Sequence, residues 1–112
     1  MISSLRFWSA VAIPVAAALA LWAPPASAQD LRRGETLLTR DCAACHAVGR
    51  TGESRRAGAP AFRTLATRYP IESLEEALGE GIMSGHPEMP EFQYDADDVG
   101  DIIGYLNSIQ KR

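Results

Sequence analysis

The chain has 112 residues, 46% of them hydrophobic, and a formal net charge of −3. That length supports one domain at most, and the mildly acidic balance leaves no electrostatic footprint for nucleic acid. With only two cysteines and two histidines, the chain excludes a dense disulfide scaffold and the paired-cysteine zinc sites.

The first 28 residues read as a secretory signal, removed on export. Arg6 gives a positive start, Phe7 to Leu21 is an apolar run interrupted by Pro14, and Ala26-Ser27-Ala28 forms a small-residue cleavage site before Gln29. The run is short for a membrane span, which needs about 20 apolar residues; a retained anchor is the competing reading. Residues 29–112 are then expected to form the domain, in the bacterial periplasm and with no membrane span. Both tryptophans, Trp8 and Trp22, leave with the signal. A domain this small buries a limited core and needs a staple.

Charge is uneven along the domain. Residues 29–68 carry eight arginines against four acids, and residues 69–112 carry ten acids against Lys111 and Arg112. Such a dipole can orient a partner, though a plainly solvated surface explains it equally well.

Asp30 is placed to cap a first helix. Leu31, Leu38 and Cys45 fall seven apart, which predicts one face running from the helix start to the cysteines. Gly34 sits on that face, where it costs about 1 kcal/mol against alanine unless another helix approaches closely.

Next comes Cys42-Ala43-Ala44-Cys45-His46. On one turn of helix the two thiols point the same way, so both can reach the edge of one flat ligand while the imidazole projects towards its centre. This is the attachment pattern of a c-type haem, with thioethers at the two cysteines and histidine as an iron ligand. A thioredoxin-like pair wants a strand–helix context, and no strand pattern is present. A structural disulfide leaves His46 without a reason.

Residues 47–60 read as loop, broken by Gly49, Gly52, Gly58 and Pro60. Arg50, Arg55 and Arg56 cluster there, to meet haem propionates, a partner or only water. Ala61 to Arg68 is expected to form a short helix with Phe62, Leu65 and Ala66 on one side. Pro70 ends it or begins the next element. Ser73 and Glu76 form a candidate capping box for a helix carrying Leu74, Ala77 and Leu78, with Gly79 and Gly81 as its stop.

Gly81 to Phe92 is punctuated as a loop but holds Met83, His86 and Met89. These three compete for the second axial position of the iron. Pro87 and Pro90 restrict the backbone around Met89 and favour it. Met83 suits the core, and His86 suits a loop hydrogen bond. The last helix is capped by Asp95, carries Asp97 and Asp98 at its positive end, and buries Val99, Ile102, Ile103, Leu106 and Ile109. Lys111 and Arg112 are expected to complement its C-terminus.

At this point the chain resembles the class I c-type cytochromes, of the small bacterial monohaem type, over nearly all of residues 29–112. Cys42, Cys45 and His46 match the family's haem motif, and the segment from Gly85 to Phe92 matches its Met-Pro loop. The resemblance implies an all-α cytochrome c fold, with several short helices wrapped around one covalently attached haem c. It implies Met89 as the axial ligand opposite His46. It also implies that the Pro60 carbonyl fixes the imidazole, and that Gly34 and Leu38 cross Ile102 and Tyr105. The family's propionate-binding tryptophan and its ring of docking lysines are both missing from residues 29–112. The implied function is a periplasmic one-electron carrier that docks transiently with redox partners and is not itself an enzyme. Two alternatives stand beside it. One is an electron-accepting subunit of a periplasmic dehydrogenase or oxidase; the other is a five-coordinate haem protein that binds gas or reduces peroxide. Both a monomer and a subunit of a redox complex are compatible with these residues.

Overall fold

The computed structural model describes residues 9–11, 28–82 and 88–111. Most of residues 1–28, where the signal is expected, lies outside the described residues, together with Met83, His86 and Arg112. Among those described, the regular elements are all helical.

Helix α1 runs Leu31–Cys42, capped by Asp30, whose carboxylate accepts from the Arg33 N–H at 3.0 Å. Helix α3 runs Ala96–Ile109, capped by Asp95, whose carboxylate accepts from the Asp98 N–H at 2.9 Å. These two helices cross in direct contact. At the crossing a Cβ on Gly34 would lie 2.2 Å from the Asp101 carbonyl oxygen and 3.0 Å from the Tyr105 Cβ. The close approach foreseen for Gly34 is therefore real: only hydrogen fits, and the lost helix propensity is offset by packing. Leu37 and Leu38 bury beside it, as do Ile102, Ile103, Leu106 and Ile109 from α3. Each such side chain is worth about 1.5–3 kcal/mol of transfer free energy. Polar contacts ring the crossing. The Asp30 N–H donates to Asp101 Oδ1 at 2.8 Å, and Arg33 pairs with Asp98 at 2.7 Å. The Tyr105 hydroxyl donates to the Val48 carbonyl at 3.0 Å.

The middle of the chain differs from expectation in three places. The expected short helix is present as a 3-10 helix, Phe62–Thr67, but Ala66 faces solvent while Phe62 and Leu65 are buried. The tighter wind brings i and i+3 into register, and the Thr64 and Thr67 hydroxyls donate to the carbonyls three residues back, each at 2.7 Å. Pro70 opens a second 3-10 helix, Ile71–Leu74, which leads straight into α2, Glu75–Glu80. Ser73 is thus inside a preceding turn, where its N–H donates to the Pro70 carbonyl. Leu74 occupies the N-cap position of α2 with no side-chain cap, so the Ser73–Glu76 box does not form. Gly79 is helical; Gly81, at φ 115°, makes the stop.

Lys111 lies beyond the end of α3 rather than on its last turn. The C-terminus is closed instead by Gln110. Its amide donates to the Leu106 carbonyl at 2.7 Å and the Phe62 carbonyl at 2.8 Å, and its oxygen accepts from the Ala66 N–H at 2.8 Å. One side chain thereby ties α3 to the first 3-10 helix.

Candidate functional site

Cys42 is the last residue of α1. The chain then continues for one further turn. Ala43 keeps helical dihedrals, and the Cys45 and His46 N–H groups donate back to the Cys42 carbonyl at 3.1 and 2.9 Å. Cys42, Cys45 and His46 therefore share one turn, as their spacing requires. The expected continuous face is only partly present, since Leu31 is 43% exposed while Leu38 is buried. The regular helix ends before Cys45, so the seven-residue register does not carry through the motif.

The loop after His46 folds back on the motif. The Arg56 N–H donates to the Cys45 carbonyl at 3.1 Å, and the Phe62 N–H to the Ala47 carbonyl at 3.0 Å. Ser54 Oγ accepts from the Ala47 N–H at 3.0 Å. This return brings the Pro60 carbonyl oxygen within 2.8 Å of His46 Nδ1. A carbonyl only accepts, so Nδ1 is the donor, which in the neutral ring leaves the lone pair on Nε2. Phe62 stacks on the imidazole, with ring centroids 4.8 Å apart and planes 28° apart. The ring is thus fixed in both tautomer and orientation, the condition for a well-directed metal ligand.

The two thiols are half-buried and not bridged to each other. Burial, helped by the charge of Asp41, pushes the Cys42 thiol up to about 11; it is protonated at neutral pH. Cys42 packs against the core, as do the partly buried Leu74, Ile82 and Phe92. Met89 is also half-buried; its competitors Met83 and His86 fall outside the described residues. Among the described residues no group of three or more histidine, cysteine or acidic side chains is placed to hold a metal ion. That donor set does not suit a tetrahedral zinc centre. Two unbridged thiols, one oriented imidazole and an apolar surround fit a covalently held haem, which these residues would anchor and ligate.

Three contacts near the site were not foreseen. Asp41, just before Cys42, is gripped by Arg40 through two hydrogen bonds of 2.7 Å. The buried Tyr94 hydroxyl donates to the same carboxylate at 2.8 Å. Arg56 pairs with Glu88, the neighbour of Met89, so it faces a carboxylate of this chain, whereas Arg50 and Arg55 stay exposed. The Arg40 hydrogen bonds, reinforced by Tyr94 against the opposing effect of burial, hold Asp41 below the usual carboxylate range. The same burial, with Asp41 beside it, raises Tyr94, so its hydroxyl remains a donor.

An all-α fold whose first and last helices cross, with a cysteine pair and histidine on the turn after the first, defines a c-type cytochrome. A family model described as cytochrome c oxidase, cbb3-type, subunit III matches residues 29–106. Cytochrome c-552 of Bradyrhizobium diazoefficiens is 34% identical over 85 residues, 76% of this chain and 80% of that protein. Cytochrome c6 of Picosynechococcus sp. is 30% identical over 103 residues, 87% and 88% of the two chains. No solved structure matches the chain. The chain belongs to the cytochrome c family. It is accordingly an electron-transfer protein rather than an enzyme, it works with redox partners, and it carries haem c. No helix among the described residues is long and apolar enough to cross a membrane.

Proposed function

We propose that residues 29–112, exported to the bacterial periplasm after loss of residues 1–28, form a one-electron carrier with a single haem c. Cys42 and Cys45 would hold the haem by thioethers, and His46 and Met89 would ligate its iron. The observation that carries this reading is the His46 Nδ1 contact to the Pro60 carbonyl at 2.8 Å, which leaves Nε2 as the ligating atom. Haem c supplies a one-electron iron couple. The protein's part is to hold the ligands still. Pro60 and Phe62 fix the imidazole, α1 carries the first cysteine, and the segment around Met89 brings a soft thioether that favours the reduced state and raises the potential. With His46 and Met89 both given to the iron, the chain would leave no site for a substrate there, and the haem would serve electron exchange with a partner that docks transiently.

The test is a potentiometric titration of the purified holoprotein. A single reversible one-electron wave at a positive potential is expected. A wave split in two, or turnover of added peroxide, would contradict the reading. A second reading, a subunit of a terminal oxidase, rests on the wording of the matching family model. It predicts that the native protein sediments with a large membrane complex after mild detergent extraction, whereas the carrier reading predicts release with the periplasmic fraction.

A further inference from the structure

We propose that Tyr94 and Glu88 are positioning residues for Met89, each acting through a contact to the segment that carries the cysteines. The inference rests on the reading of Met89 as the axial ligand. Two struts reach from the Met89 side of the chain to the attachment turn. In the first, Tyr94 donates to Asp41 at 2.8 Å, and Asp41 immediately precedes Cys42. In the second, Glu88 pairs with Arg56, whose own N–H donates to the Cys45 carbonyl at 3.1 Å. Each cysteine thus has one strut, and Met89 lies between their far ends.

Backbone bonds complete the frame on the Met89 side. The Tyr94 N–H donates to the Leu78 carbonyl at 2.9 Å, and the Ile82 N–H to the Phe92 carbonyl at 3.3 Å. The first of these bonds ties the segment to α2 and the second to the residue after its Gly81 cap; neither reaches the cysteine turn, which the struts do. The struts differ in strength. Tyr94 is 9% exposed, and the Asp41 side chain, at 11%, is held from its other side by Arg40. A buried hydrogen bond to a charged carboxylate is strong and weakly screened. Arg56 and Glu88 are 50% and 65% exposed, so their pair contributes little and fades with salt.

The test uses ferric holoprotein titrated with imidazole, which competes with the methionine for iron, read on the methionine–ferric charge-transfer band. Tyr94→Phe should bind imidazole about tenfold more tightly than wild type, since a hydrogen bond to a charged group is lost. Glu88→Gln should tighten it about twofold at low salt and not at all at high salt. Tyr105→Phe is the control. It removes a buried tyrosine hydrogen bond to the Val48 carbonyl and should lower the thermal midpoint without changing imidazole affinity. Tyr94→Phe binding imidazole as wild type does, or Tyr105→Phe tightening it equally, would overturn the proposal. A wild-type protein with no charge-transfer band would overturn the ligand assignment itself, which is a separate result.

Discussion

The crossing of α1 and α3 and the segment from Glu88 to Asp95 are held in place in different ways. The crossing is redundant. Gly34 sits against the Asp101 backbone, six apolar side chains bury around it, and Arg33 with Asp98 and Asp101 closes its edge. The second region is tied to the rest of the chain by contacts made at a distance, from Tyr94 to Asp41 and from Glu88 to Arg56. One region therefore stores stability and keeps the cysteine turn in place. The other is braced by one buried hydrogen bond and one exposed ion pair, so fewer contacts stand between it and local opening. An axial ligand borne on such a segment is exchangeable unless something positions it.

The comparison yields predictions of decreasing size. Replacing both Cys42 and Cys45 by serine should abolish covalent haem, read as complete extraction of haem into acidified organic solvent. Gly34→Val attacks the crossing. The added carbons have no room beside Asp101, and overpacking of this kind costs about 3 kcal/mol, measurable by urea denaturation. Met89→Ala attacks the other region. The holoprotein should stay folded, with its potential lowered and the iron open to carbon monoxide, while Gly34→Val protein that remains folded should keep its methionine band. Acid separates the regions again. Asp41 has a lowered folded pKa, so its contribution to stability is present above the unfolded carboxylate value of about 4 and is lost as pH falls through the folded value. Asp41→Asn should flatten the acid limb of the denaturation midpoint. The smallest effect is that of Tyr105→Phe, about 1 kcal/mol for one buried hydrogen bond, with no change in the spectrum.

Sequence reading went furthest where local periodicity and local capping agree. Helix α3 has its apolar residues at helical spacing and Asp95 at its start, and all five of its expected core residues are buried. Cys42, Cys45 and His46 were legible as a unit because their geometry is contained in one turn. The 3-10 wind of Phe62–Thr67 was not, since its preference over an α-helix is small; the Thr64 and Thr67 hydroxyls donate to carbonyls three residues back within it. The Ser73–Glu76 pattern misled because Pro70 starts a turn early and carries Ser73 past the capping position. The tyrosine and glutamine contacts lay beyond reach for another reason. Tyr94 meets Asp41 across 53 positions, and Gln110 meets Phe62 across 48; nothing local marks either pair.

The most direct test of the account is the absorption spectrum of the holoprotein, oxidised and reduced, with and without carbon monoxide. Low-spin spectra with the methionine–ferric band, unchanged by carbon monoxide, are the predicted result for His46 and Met89 on the iron. A high-spin ferric spectrum, or a reduced form that binds carbon monoxide readily, would contradict it and leave a haem protein with an open site.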